Sequence, residues 1–283
     1  MNAAGRRRAQ SRVVVLDRSL ERLPLFRLSD SAEDAAAAFT PTTGGRWRVL
    51  PAPGERVPGT FDQDVYVELF RRFFEAGAPA DGVLTFTLHA FLRSMGRRVD
   101  GRTYEQLRAA LNRLQRTSLE SERAYHDAAA AAAATLNFSV LAAVHIDRRR
   151  IVERDQLALF SSMTNNEPGD ARVTIGRELR ANIAAGYTVQ LSSMRYFALS
   201  SPVARRIYRL LEAVRADVGQ KWTISLDALA DQLPLVQRYP SHLQRVLLPA
   251  HEMLVSAGII SGATIEQDSG SRLVAYTLRP RQA

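Results

Sequence analysis

Cysteine is absent from the 283 residues, which excludes disulfide frameworks, thiolate zinc centres and cysteine nucleophiles. Lysine is nearly absent as well, with Lys221 the only one, so the positive charge rides almost entirely on guanidinium groups. Long apolar runs are missing near the start, where residues 13–16 are far too few for a signal-peptide core or a membrane span. A soluble, cytoplasmic chain is therefore expected. No GxxxxGK[ST] run is present, so the phosphate-cradling ATPases are excluded and any strand-separating motor would have to come from a partner. The five histidines, His89, His126, His145, His242 and His251, show no HExxH spacing and no ligand grouping. A nicking nucleophile would need an exposed tyrosine beside a histidine-rich metal site, whereas Tyr66, Tyr104 and Tyr208 occupy apolar helical positions. No metal, no cofactor and no enzymatic activity are expected.

What the chain has in excess is positive charge. Its 38 Lys plus Arg outweigh 29 Asp plus Glu, a net charge of +9, and this bias favours a polyanionic partner, with nucleic acid the first candidate. Guanidinium suits bidentate contact with phosphate and guanine; a GC-rich coding sequence would give the same arginine bias without functional meaning. The length and the 46% hydrophobic content suffice for two domains with proper cores.

Residues 1–45 begin with Arg6, Arg7 and Arg8, pass through a Ser/Asp/Ala-rich stretch and end in Thr-Pro-Thr-Thr-Gly-Gly, a composition that predicts a basic flexible arm and linker. Order is expected to start with a short strand at residues 47–50. Residues 62–77 place Val65, Leu69, Phe70 and Phe73 on one helical face and close on a glycine. A strand at residues 83–86 then leads into a helix capped by Thr87, with Leu88, Phe91, Leu92 and Met95 apolar. Asp100 can cap a third helix over residues 102–116 with Tyr104, Leu107, Leu111 and Leu114 inward. Extended segments follow at residues 118–125 and 136–146, joined by His126, Asp127 and the alanine run 128–134, which reads as a long wing tip. Helix, strand, helix, helix and strand pair is the order of a winged helix, whose third helix enters the major groove.

The same order recurs. Residues 202–216 repeat the first helix, with Tyr208 matching Tyr66 and Leu211 matching Leu69 at one common spacing, and residues 222–229 repeat the strand and capped helix of residues 84–91. A last helix over residues 241–258 precedes strands at 259–265 and 273–278, joined by a turn at 267–271 as a second wing. Three elements in one order point to an α+β chain of two tandem winged-helix domains related by internal duplication, with residues 46–176 the first domain and 177–283 the second. Between the repeats, residues 173–191 read as strand, short helix ending at Gly186, and strand.

These residues resemble the plasmid replication initiator protein A family. The resemblance lies in Tyr66-Val-Glu-Leu-Phe-Arg-Arg-Phe-Phe-Glu-Ala-Gly77, in Asp81-Gly-Val with Met95-Gly96, in Gly101-Arg-Thr-Tyr104 with Leu111-Asn-Arg-Leu114, and in Tyr239-Pro-Ser with Pro249-Ala-His-Glu252, across roughly residues 46–280. It implies an initiator that binds repeated or inverted sites of double-stranded DNA at an origin, helps melt adjacent AT-rich DNA and recruits the host helicase or its loader. It also implies a homodimer able to repress its own promoter, and a location on plasmid or nucleoid. The alanine run and the arginine-rich arm depart from the pattern and bear on the first domain. Winged helices also serve transcription regulators and architectural DNA binders without site specificity, so the fold leaves both alternatives open.

On the last helix, Leu243, Val246, Leu247 and Ala250 turn inward. That leaves Ser241, His242, Gln244 and Arg245 outward, with Leu248 at the margin and Arg238 and Tyr239 just before. Arg245 can donate twice to guanine and Gln244 twice to adenine. On the third helix of the first domain the outward set is Arg102, Thr103, Gln106, Arg108, Asn112, Arg113 and Arg116, with only Glu105 opposing. Arg148, Arg149 and Arg150 are candidates for the first wing, with Arg272 the equivalent in the second.

Overall fold

A computed structural model describes residues 12–28, 37–40, 44–147, 171–235, 239–268 and 271–280. The expected arm is overturned over residues 13–28. β1 (Val13–Asp17) pairs antiparallel with Thr188–Ser192 and runs into α1 (Arg18–Glu21), whose first amides bond to the Asp17 side chain. Val14, Leu16, Leu20, Leu25 and Phe26 are buried in the common core. Composition marked this segment by its arginines, but its apolar residues are what hold it to the fold.

β2 (Ala37–Phe39) and β3 (Arg46–Leu50) follow, with Trp47 fully buried and its indole N–H donating to the Pro24 carbonyl at 2.8 Å. α2 (Thr60–Glu75) carries the expected apolar face and stops where Gly77 takes φ of +82°, a conformation open to glycine. β4 (Val83–Phe86), α3 (Leu88–Ser94) and α4 (Gly101–Arg116) come next, capped by Thr87 and Asp100 as the sequence predicts.

The first wing is not where alternation placed it. β5 (Ser118–Asp127) and β6 (Ala132–Phe138) form a hairpin within a separate four-stranded sheet of order β2-β3-β5-β6. The alanine run supplies the turn of that hairpin and the start of β6, so it is no wing tip. A break at Ser139 and Val140 sends β7 (Leu141–Ile146) to pair with β8 (Ala171–Ile175), and β8 pairs with β4, giving the sheet β4-β8-β7. The wing strands of the first unit are β7 and β8. The expected strand over residues 136–146 was one run in sequence because both halves alternate; it is two strands because they serve two sheets.

α5 (Arg177–Ala184), β9 (Thr188–Ser192) and α6 (Ser193–Ala198) lead to the second unit. There α7 (Pro202–Val218), β10 (Lys221–Ser225), α8 (Leu226–Gln232), α9 (Pro240–Ser256), β11 (Ile260–Asp268) and β12 (Ser271–Leu278) form a sheet of order β10-β12-β11. In both sheets the strand before the second helix pairs with the last strand, which pairs with the one after the third helix. The fold is two tandem winged helices, the first carrying an inserted hairpin between its third helix and its wing.

Buried charge ties the units together. Glu21 accepts the Tyr66 hydroxyl at 2.8 Å and the Arg209 guanidinium at 2.9 Å, so the N-terminal segment, α2 and α7 meet at one carboxylate. Asp64 on α2 accepts two bonds from Arg205 on α7, at 2.7 and 2.6 Å, and one from the Tyr196 hydroxyl at 3.1 Å. Asn182 on α5 donates to Asp17, to the Tyr125 hydroxyl at 2.9 Å and to the His126 carbonyl at 2.8 Å, fixing the hairpin to the same block. Burial raises the Asp17 carboxyl to about 7 although Tyr125 and Asn182 donate to it.

Candidate nucleic-acid interface

α4 and α9 are the third helices of the two winged units, and each buries one stripe and offers the other. Leu107, Ala110, Leu111 and Leu114 are the buried stripe of α4. On its open side Arg102 and Gln106 are exposed, and Arg102 has no ion-pair partner among the described residues.

The rest of the expected cationic face is largely committed within the protein. Arg113 donates to both oxygens of Asp62, at 3.0 and 2.7 Å, and its side chain is only 14% exposed, so it serves as a strut between α4 and α2. Thr103 closes the helix cap with Asp100, its amide donating to Asp100 at 2.9 Å and its hydroxyl engaging Asp100 and the Arg98 carbonyl. These bonds give Thr103 a capping role. Arg108 pairs with Glu105 and Arg116 with Glu55. Only Glu105 among these carboxylates lies on α4 itself; Asp62 and Glu55 reach it from other parts of the chain.

α9 begins after Tyr239, with Pro240 in its first turn, where a missing amide costs nothing. Leu243, Leu247, Ala250 and Leu254 are buried. Ser241 and Arg245 are exposed, His242 and Gln244 half-buried, and Leu248 is 55% exposed on the open side. Tyr239 is 53% exposed with its ring 5.5 Å from that of His242. The Arg245 guanidinium lies 3.1 Å from His242 Nδ1. Tyr239, His242 and Arg245 thus form one surface cluster around the first turns of α9, with Tyr239 and Arg245 exposed and His242 between them, a mix of ring, hydrogen-bonding and cationic groups suited to base edges and phosphates. Arg272 is half-buried on β12 opposite Gln267. Arg238, Arg148, Arg149 and Arg150 lie outside the described residues.

Among the described residues no group of His, Cys, Asp and Glu is arranged to hold a metal ion, and no helix is long and apolar enough to cross a membrane. Tyr66 and Tyr208 are buried core residues and Tyr104 is half-buried.

His251, on the inner side of α9, packs under the second sheet with its Nε2 2.9 Å from the Tyr276 hydroxyl. Burial lowers its pKa to about 4. In the unfolded chain a histidine titrates near 6.5, so the unfolded state gains a proton first as pH falls. The contribution is fully present above about 6.5 and is lost between about 6.5 and 4, a cost of about 3 kcal/mol at most. Asp17 runs the other way, its stabilising proton being lost as pH rises from about 4 to 7. Comparing the pH dependence of urea midpoints for wild type and His251→Phe isolates the histidine: the variant should lose the fall in stability below pH 6.5. Identical slopes would show that His251 titrates normally in the fold.

Sequence reasoning missed a second cationic group at the junction of the units. Arg27, Arg56, Arg97 and Arg205 line one groove of about 420 Å³ together with Gln106 of α4. They come from four separate segments, and no spacing rule connects them.

No curated protein sequence matches the chain. Among solved structures, domains 2 and 3 of RctB superpose with a TM-score of 0.53 at 11% identity, covering 89% of this chain and 94% of that one. The Pi initiator protein, solved in complex with iteron DNA, gives a TM-score of 0.52 at 13% identity, covering 96% of this chain and 100% of that one. At such identities the likeness is one of fold, and it spans both winged helices. The model of the family named replication initiator protein A matches residues 16–236, running from the end of the N-terminal strand through the whole first unit and into the second, and the chain belongs to that family.

Proposed function

We infer that this protein is a sequence-specific binder of double-stranded DNA that initiates replication of a plasmid or secondary replicon at repeated sites in its origin. The observation that carries the reading is the fixed pairing of two third helices in one chain. α4 and α9 sit in units joined through buried Glu21–Arg209 and Asp64–Arg205 pairs, so two reading helices are presented together without a second subunit. Family membership and the fold shared with an initiator solved on iteron DNA point the same way. Tyr239, Ser241, His242, Gln244 and Arg245 are the base and phosphate readers of α9, and Arg102 and Gln106 those of α4. Arg238, Arg272 and the run Arg148 to Arg150 add phosphate contacts. The shared strand order of the two sheets supports their origin by duplication. Because the sequence has no phosphate-cradling ATPase motif, unwinding beyond the site falls to a recruited host helicase or its loader. Self-association would allow the same protein to occupy its own promoter.

The test is a DNase footprint across the DNA flanking the gene at near-physiological salt, with wild type and Arg245→Ala. Wild type should protect regularly repeated sites. Loss of one bidentate base contact costs about 1–3 kcal/mol, so Arg245→Ala should need roughly 5- to 150-fold more protein for the same protection while its binding to random DNA changes far less. Uniform or absent protection by wild type overturns site-specific origin recognition.

A further inference from the structure

The groove at the junction of the two winged helices is built by both. α2 begins at it through Gly59 and Thr60, α7 begins at it through Pro202, and Gln106 reaches it from the exposed side of α4. Arg27 and Arg56 arrive from the N-terminal segment and the loop before α2, which are held together by the Arg27 amide donating to the Pro58 carbonyl at 2.8 Å.

Among the groups that line it, guanidinium outnumbers carboxylate. Four guanidinium groups, of Arg27, Arg56, Arg97 and Arg205, face two carboxylates, of Asp62 and Asp64. Asp62 is already taken by Arg113, and Asp64 is shared by Arg97 and Arg205. Arg97 lies over the Phe61 ring, 5.6 Å from its centroid, and its side chain is 40% exposed. Arg56 is exposed and has no ion-pair partner among the described residues. Two long helices also direct their positive ends here.

The position fits a polyanion that passes from one unit to the other. Gln106 belongs to α4, and the hydroxyl of Ser200, which also lines the groove, lies 3.6 Å from the sulfur of Met253 on α9. The groove is thus lined by one third helix and neighboured by the other. Two helices set into successive major-groove segments of one duplex leave a stretch of sugar–phosphate backbone between them.

We propose that this groove is a phosphate-binding site, formed by Arg56, Arg97 and Arg27 at the meeting helix N-termini of the two units, and that it takes a backbone phosphate of the duplex between the segments read by α4 and α9. The site rests on the reading of the protein as a DNA binder. It adds a contact that belongs to neither winged helix alone, so its occupation couples DNA binding to the relative placement of the units.

Ethylation interference on a protected repeat, with wild type and Arg56→Gln, tests it. Arg56 is exposed and has no ion-pair partner among the described residues, so the variant should fold as wild type does. In wild type, ethylation of a phosphate between the two protected segments should block binding. In Arg56→Gln that one interference should vanish, affinity should fall several-fold on specific and random DNA alike, and the log–log salt slope should drop by about one. A retained footprint with unchanged interference and slope overturns the site while the DNA-binding reading stands. Thermal unfolding with inorganic phosphate or pyrophosphate separates the sources. Stabilisation of wild type but not of Arg56→Gln, with unchanged ethylation interference, would make the groove a site for a free anion and overturn its assignment to the backbone. Absence of any footprint would remove the function and this site together.

Discussion

Replacing Glu21 by alanine is expected to cost about 3–5 kcal/mol, the range for removing one partner of a buried ion pair. Glu21 is essentially inaccessible to solvent, and so is its partner Arg209. Without the carboxylate, Arg209 keeps one bond to Gln63 at 2.9 Å and the faces of Phe26 and Tyr66, which cannot replace a counter-charge in a dry site. Tyr66 loses its acceptor as well. Arg206 next to it is bound to the Glu21 and Leu23 carbonyls at 2.8 and 3.2 Å and has its pKa lowered by burial and by Arg209, so a second cation is left closer to an uncompensated first. Urea unfolding should show the loss as a lower midpoint. The double variant Glu21→Ala with Arg209→Met should recover a large part of it, since the penalty is the unpaired charge and not the missing pair. A loss below about 1 kcal/mol in the single variant would mean that water reaches Arg209 and that the Glu21 carboxylate adds little to holding the units together.

Much of the fold was legible because it rests on local signals. The apolar spacing of Val65, Leu69, Phe70 and Phe73, the caps at Thr87 and Asp100 and the positive-φ glycines 77 and 186 mark elements whose determinants lie within a turn or two. Strand partners were not legible in that way. β5, β6 and β7 all alternate, and nothing within residues 118–146 says that β7 leaves the hairpin for β8, more than twenty residues further on. The N-terminal segment was misjudged for a related reason. Arginine and alanine dominate residues 1–45, yet Val14, Leu16, Leu20 and Phe26 are buried because β9 and α2, distant in sequence, cover them.

The candidate interface divides along the same line. The candidate reading face of α9 lies on one helix, and the outward positions of Ser241 and Arg245 follow from helical periodicity. On α4 periodicity also found the outward arginines, but whether an outward arginine is free depends on carboxylates from elsewhere. Asp62 claims Arg113 across 51 positions and Glu55 claims Arg116 across 61. The groove arginines escaped notice because tertiary folding alone makes them neighbours.

Asp64 is where stability and DNA binding should trade against each other. Its carboxylate is buried and accepts from Arg205, Arg97 and Tyr196. The Tyr196 hydroxyl, pushed above its ordinary pKa by burial and by Asp64, stays a donor throughout the working range. Asp64→Asn keeps the shape and the Tyr196 bond but removes the counter-charge of two arginines. Arg205 is 11% exposed on the groove and Arg97 40%, so water softens the loss and the expected cost sits near the lower bound for a broken buried pair, about 3 kcal/mol. The freed guanidinium groups remain on the groove wall and add to its positive potential. Binding to random duplex DNA should therefore tighten several-fold at low salt and the log–log salt slope should steepen. Arg205→Met provides the contrast: it breaks the same pair and should lower the unfolding midpoint, yet it removes a cation and should give no gain on DNA. If Asp64→Asn and Arg205→Met change DNA affinity alike, Asp64 acts only as a structural clamp and the groove potential plays no part in binding. If they diverge as expected, the carboxylate that joins the two winged helices also limits how strongly they hold DNA outside their sites.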